Sequence, residues 1–499
     1  MYSQEQSPLF RLPRELRDEI YAYVAYEVDG YHHIFQTACP GRLRLANGGD
    51  IDISLAAACK KVALEIRGIA LRTNTIHFFP GDTPTDAPIQ SLALRFQRLN
   101  YYVDVTNWRM LRLAAECVDD RILEEVEQEF VDNRFRILFK RHTSERGNLP
   151  MGSTFDDWYE MQGATDYPVH RALQYCLKLA SAHPLFHVRV AAACTSSPAR
   201  DSFQPGVTFV PGSHMAVLEW NPKSWCIPTD SQLKPMESLL ANPEDATTFL
   251  ERNHHERISW KFSACAVAID ALQRLPERFF TNLNSIVLHE ESPSICAPET
   301  HTQGLAPLRE ELPQIYIERR VKGYSVAQIS RWAPVTKSRL LRRKGGQALC
   351  FFEAVIPWLQ EVQKGEEMDA SHRGAFSLVF ENDNDEAMWA RLVIAVRMQT
   401  DMQEHFRIRN IALPPVSTDE RYIQMTFPLP WHFPDWLPKM MKSLALGATK
   451  SIHYEGSLDP VSSDDAYDSP ADGGNTPEDW RDSWEKLILE NLAAGRDVH

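Results

Sequence analysis

Ser7-Pro-Leu-Phe-Arg-Leu-Pro-Arg-Glu-Leu-Arg-Asp-Glu-Ile-Tyr-Ala-Tyr-Val24 is the stretch from which the rest of the chain is read. Leu12, Leu16, Ile20 and Val24 recur every fourth residue with Tyr23 beside them, so the spacing predicts a helix with one apolar stripe. Pro13 suits a first helical turn, where its missing N–H costs nothing, and Glu15 lies near the positive end of the helix dipole. Arg14, Arg17, Asp18 and Glu19 make up the opposite, solvated face. Periodicity alone leaves two destinations open for the stripe: the protein's own core or another protein.

Working outward, Tyr31–Gln36 has strand character and Gly41–Gly49 reads as turn and loop. Ser54–Leu71 reads as one helix with Leu55, Cys59, Val62 and Ile66 on a single face, and Arg72–Phe78 as a short strand. A helical region follows from about Ile89 to His142, its clearest member spanning Val118–Lys140. Gly147 and Pro150 mark a linker and a first boundary, so the first segment is 1–150. In the second, 151–291, Tyr167–Ala182 reads as helix, Phe186–Ala193 as strand, and Thr195–Pro235 as loops with short strands such as Val207–Val210. Thr247–Leu275 reads as helix closed by Pro276, and Leu283–Glu290 as a short strand. That helix, Leu-Pro and strand are similar to one leucine-rich-repeat unit, but no second copy follows at a fixed period.

In the third segment, 292–455, Gln347–Val362 and Asp385–His405 read as helices and Ala375–Phe380 and Arg421–Phe427 as strands. The run Pro428–Pro438, rich in proline and tryptophan, reads as a packed aromatic loop or a docking motif. Residues 456–480 carry seven carboxylates and no Lys or Arg, a composition that cannot offset chain entropy by burial, so a disordered acidic tail is expected. Residues 481–499 hold a possible terminal helix. Strands without regular alternation with helices, and no long parallel-sheet pattern, predict an α+β, helix-dominated fold.

The first helix resembles the opening of an F-box, Leu-Pro-x-Glu-Leu-x-x-x-Ile, and the divergent fungal F-box-like families, including the one named for two Glu-x-Arg motifs. The motifs here are Glu15-Leu16-Arg17 and Glu65-Ile66-Arg67. Ile53-Ser-Leu-Ala-Ala-Ala-Cys-Lys-Lys-Val-Ala-Leu-Glu-Ile66 resembles the Cys-Lys helix that closes an F-box. The likeness covers about the first eighty residues, with an insert from Val28 to Asp50 that an ordinary F-box lacks. It implies docking on a Skp1-like adaptor of cullin ubiquitin ligases through Leu12, Pro13, Leu16, Ile20 and Val24, with the body from Gly152 to Glu455 free to bind a target protein.

Composition narrows the rest. The 499-residue chain is 43% hydrophobic and 24% charged, ordinary for a globular protein. Its net charge of −14 argues against a general nucleic-acid binder. No run approaches eighteen apolar residues, so no membrane span is expected. The first residues lack the basic and apolar blocks of a secretory signal. Nine scattered cysteines without Cys-x-x-Cys read as reduced thiols. Cytoplasm or nucleus is the expected compartment.

No catalytic set is predicted, and no cofactor or metal. His289-Glu290-Glu291 has the His-x-Glu spacing of zinc deaminases but lacks their Pro-Cys-x-x-Cys pair, so His289 is expected to be packed or hydrogen-bonded. His32 and His33, adjacent on a strand, point to opposite faces and cannot share an ion there. His254-His255 with Glu251 falls short of a four-ligand pattern. Pro211-Gly-Ser-His-Met215 lacks the second glycine of a nucleophile elbow, and no phosphate-binding glycine loop occurs.

The strongest charge feature is Arg319, Arg320, Lys322, Arg331, Lys337, Arg339, Arg342, Arg343 and Lys344. It is read either as a patch for an acidic partner or nucleic acid, with Tyr324 and Trp332 available to stack on bases, or as arginines paired to carboxylates elsewhere. Three function classes follow: an interaction protein recruiting a target through its N-terminal module, a nuclear nucleic-acid- or chromatin-associated factor using 319–344, and an enzyme whose catalytic residues lie far apart in sequence.

Overall fold

The computed structural model describes residues 7–35, 41–82, 91–130, 167–194, 209–241, 261–276, 281–292, 294–322, 355–363, 376–382, 436–445, 447 and 451–456. Single helical positions are also described between 135 and 143 and between 389 and 404. The fold is α+β. Among the described residues seven strands form one sheet in the order β2-β1-β3-β4-β5-β6-β7. They are β1 Tyr31–Ile34, β2 Arg42–Leu45, β3 Thr75–Phe78, β4 Ser285–Glu290, β5 Tyr316–Lys322, β6 Phe376–Glu381 and β7 Ile452–Tyr454. Only β2 runs antiparallel, against β1; every other pair is parallel, and from β1 to β7 neighbours in space follow the order of the chain.

The parallel sheet departs from the expectation of no long parallel pattern, for a physical reason. Each strand is three to seven residues long, and Thr75 meets Ser285 across 210 positions of chain. Its strands also carry polar residues on one face, so they do not read as the apolar runs of a doubly covered sheet. The alternation in β5 is plain: Ile317, Arg319 and Val321 are buried, and Glu318, Arg320 and Lys322 are half-buried between them.

Register places Ile76, Ile286 and Ile317 on one face, with Leu288, Arg319, Leu378 and Ile452 in the next row. This face carries the helices. A large core joins it to α5 Leu92–Leu113, α6 Asp120–Phe130, α7 Tyr167–Ala180 and α11 Ala264–Arg274. A second core, around Val321, Trp358, Leu378, Phe380 and Trp389, includes Leu437 and Met440 of α13 Trp436–Ala445. Strands from all three sequence segments pair in this sheet, and the larger core runs from Ile76 to Ile317. The boundaries expected at 150/151 and 291/292 therefore do not separate independent cores.

Local departures also have causes. Phe186–Ala193, expected as a strand, is the helix α8 Phe186–Val190 followed by a 3-10 turn. Phe186 and Val190 are buried and Val188 is exposed, a helical spacing that Val-Arg-Val imitated as alternation. The helix expected over Ser54–Leu71 breaks into α2 Ser54–Ala58, α3 Lys60–Glu65 and α4 Ile69–Thr73. Cys59 is extended there and caps α3 through its sulfur, and Gly68 takes the left-handed conformation. Arg42–Leu45, read as loop, pairs with β1. The helix expected from Thr247 begins at Ala264 within the described residues, because Ser263 caps it and Phe262 bridges to Gly81. The linker at 144–151, the strand at 421–427, the acidic tail beyond Gly456 and the terminal helix lie outside the described residues, and the Pro428–Pro438 run is described only from Trp436, where α13 opens. No helix among the described residues is long and apolar enough to cross a membrane.

Candidate functional site

α1, Arg14–Ala25, packs on α4 and reaches Glu65 of α3 with the face that the sequence assigned to solvent. Arg17 and Tyr21 are its buried residues. The Arg17 guanidinium donates from Nε to Glu65 Oε2 and from Nη2 to Glu65 Oε1, both at 2.8 Å, and from Nη1 to the Leu12 carbonyl at 2.5 Å. Tyr21 donates its hydroxyl to Glu65 Oε2 at 2.9 Å. Arg14 adds a bond to the Glu65 carbonyl at 2.9 Å. The Arg17 fork holds the Glu65 carboxyl below the usual carboxylate range against the opposing effect of burial, with Tyr21 assisting. Tyr21, Val62 and Ile69 form a small core here, with Leu9, Phe10, Leu55 and Ile66 packed on it.

Arg17 belongs to the first Glu-x-Arg motif and Glu65 to the second, so the two motifs meet in one buried bidentate pair. Placing Arg17 on the solvated face was incorrect; a carboxylate 48 residues away supplies the partner that makes its burial tolerable. The repeated Glu-x-Arg spacing was the available signal, read as resemblance and not as a contact.

With Arg17 and Tyr21 turned in, the apolar stripe is left exposed, alongside Arg14, Glu15 and Glu19. Leu16 is 45% exposed, Ile20 39%, Val24 52% and Tyr23 86%. Pro13 is exposed and Leu12 half-buried. Ile53 before α2 and Leu64 on α3 are exposed as well. A helix usually buries its apolar side, so this orientation marks a surface and not a core contact.

The basic stretch fares differently. Arg319 is 1% exposed and cannot serve a surface patch: its Nη2 donates to Glu290 Oε1 at 2.7 Å and to the Pro298 carbonyl at 2.6 Å. Its guanidinium lies 4.3 Å from the Trp358 ring centroid. Arg320 is held by Glu318, Glu381 and Glu455. Of the two readings of this stretch, a patch for an acidic partner or nucleic acid and arginines paired to carboxylates elsewhere, Arg319 and Arg320 follow the second, on opposite faces of the sheet because β5 alternates them. Arg331, Lys337, Arg339, Arg342, Arg343 and Lys344 lie outside the described residues.

The histidines divide between the same faces. His33 is buried against Phe78, whereas His32 lies against Phe79 and His77. His289 is stacked on Phe79 and bonded through Nε2 to His77 Nδ1 at 2.9 Å. Burial, ahead of the charges around them, lowers His77 and His289 to about 4, which keeps both rings neutral at physiological pH. Among the described residues no group of three His, Cys, Asp or Glu is placed to hold a metal ion.

Beneath the sheet, Ser263 Oγ meets His301 Nδ1 at 2.6 Å, and His301 Nε2 meets the Cys296 carbonyl at 2.9 Å. The carbonyl requires the proton on Nε2, so Nδ1 accepts from Ser263. Both residues are essentially inaccessible, and Ser263 also caps α11. The serine–histidine contact is therefore a structural clamp and not a nucleophile with its base. No protein-family model, curated protein or solved structure matches the chain.

Proposed function

We propose that the protein is a non-enzymatic interaction protein whose N-terminal module docks a Skp1-like adaptor of a cullin ubiquitin ligase, while the sheet-bearing body holds a target. One observation carries the reading: on α1 the buried residues are Arg17 and Tyr21, both bonded to Glu65, while Leu16, Ile20 and Val24 stay exposed. Pro13, Leu16, Ile20 and Val24 supply the ridge, and half-buried Leu12 flanks it. An exposed ridge at helical spacing suits insertion into an apolar groove of a partner. The mechanism is proximity, with no chemical step assigned to the chain.

The test is capture of purified Skp1-type adaptor by the full chain, comparing wild type with Leu16→Asp and Ile20→Asp. Capture by wild type and its loss in both variants, with unchanged thermal unfolding, supports docking. Absence of capture by wild type overturns the adaptor reading.

A further inference from the structure

Among the described residues the helices lie on one face of the sheet, and the other face holds a defined chemistry. Parallel sheets are ordinarily covered on both sides, so a polar, half-exposed face needs an explanation. On β3 and β4 it carries a ring cluster. Phe79 and His289 are stacked with centroids 4.6 Å apart and planes within 5°, His77 is bonded to His289, and His32 lies 5.0 Å from Phe79. On β5, β6 and just beyond β7 it carries carboxylates. Arg320 donates from Nη1 to Glu318 and from Nε to Glu381, and Nη2 is bonded to Glu455. Tyr316 donates to the other oxygen of Glu318 at 3.0 Å. Val287 and Val379 lie on the same face in adjoining rows and give it an apolar floor.

The two halves are contiguous, because His289 and Arg320 are register partners on adjacent strands, about 4.8 Å apart. Three carboxylates stand against Arg320 and Lys322, the latter in register with Glu381, so negative charge remains in excess. The imidazoles are neutral, and they add aromatic surface without opposing a cation. Aromatic faces beside surplus carboxylate favour an ammonium or guanidinium group, through ring quadrupole and charge together. An anionic ligand meets a face whose net charge is negative, with Arg320 shared among three carboxylates.

We propose that this face is a docking surface for an extended cationic segment of a partner protein, which sets an arginine or lysine beside the Phe79–His289 rings and against Glu318, Glu381 and Glu455. The proposal goes beyond adaptor docking and stands whether or not α1 binds one.

The test uses the full chain and a fluorescein-labelled decapeptide of alternating arginine and glycine, with a glutamate-for-arginine counterpart, followed by fluorescence anisotropy. The arginine peptide binds, the glutamate peptide does not, and Glu318→Gln/Glu381→Gln weakens binding at least tenfold. Because the whole chain is acidic, the double variant Glu124→Gln/Glu129→Gln on the exposed face of α6 serves as control and leaves binding within twofold. Glu455→Gln, at the more exposed end of the cluster, weakens binding about threefold and covers the case in which the first double variant fails to fold. No binding of the arginine peptide, equal loss in the α6 control, or unchanged binding in the sheet-face variants overturns the proposal.

Discussion

α1 and α11 are both amphipathic helices, turned in opposite directions. α11 buries Ala264, Cys265, Val267, Ala268, Ile269, Ala271 and Leu272 and keeps the Asp270–Arg274 pair at its margin. α1 buries Arg17 and Tyr21 and leaves Leu16, Ile20 and Val24 outside. Each helix rests on a carboxylate tied to an arginine. Glu290 receives the first backbone N–H groups of α11 from Ala264 and Cys265 as well as the Arg319 fork. Glu65 receives Arg17 and Tyr21. The contrast teaches that apolar periodicity locates a stripe but does not choose its direction. Where a second polar set elsewhere in the chain can satisfy the helix's polar side, that side can be the one that is packed.

The largest effect should come from the deep pair. Arg319→Ala leaves the Glu290 carboxylate buried with only backbone donors, and breaking a buried pair this way costs about 3–5 kcal/mol. Urea unfolding of the whole body should move to markedly lower midpoint. A wild-type midpoint would mean that Glu290 is already sufficiently held by α11, and the distinction between the two pairs would collapse.

Next in size is the comparison of leucines. Leu272→Ala in α11 opens a cavity in a closed core and should cost about 2–5 kcal/mol, whereas Leu16→Ala on α1 should stay within about 0.5 kcal/mol. Equal losses in the two variants would show that the α1 stripe is packed after all. A smaller, local effect is expected at the shallow pair. Glu65→Gln keeps one acceptor oxygen for Arg17 and replaces the other by a donor, so amide exchange over Arg14–Ala25 should accelerate while exchange in β4 and β5 stays as in wild type. Acceleration throughout would tie α1 to the body's cooperative unit.

Much of this was legible in the sequence, and the exceptions share a cause. Helices such as α5, α7 and the start of α1, and strands β4 and β6, follow from local periodicity and caps. Of the stripe expected at Leu12, Pro13, Leu16, Ile20 and Val24, the last four are exposed and Leu12 is half-buried. What local pattern could not supply was long-range pairing. Arg17 finds Glu65 48 residues later, and His77 finds His289 212 residues later. Arg319 and Arg320, adjacent in sequence, part company only because a strand sends neighbours to opposite faces. The sheet's parallel order is likewise a property of pairing across hundreds of residues, invisible in any window.

The last predicted effect separates the two regions by pH. Unfolded histidines titrate near 6.5, whereas burial and neighbouring positive charge lower His77 and His289 to about 4, and burial together with Arg319 lowers His301 to about 3. Between pH 6.5 and about 4 the unfolded chain therefore binds protons that the folded sheet refuses. Stability falls as pH falls through that window and is flat above it. The α1 module has no such histidine, and Glu65 is held below its ordinary value of 4.5, so its contribution is retained until the pH drops below that value. Acidification from pH 7 to pH 5 should thus lower the urea midpoint of the body while amide protection in α1, relative to β4, is not the first to be lost. His289→Phe, which keeps a ring against Phe79 and removes one titrating group, should make the slope between pH 7 and 5 shallower. A midpoint that does not change over that range, or a slope untouched by His289→Phe, would show that the imidazoles on the open face are already solvated enough to charge. The two faces of the sheet would then differ less than their side chains suggest.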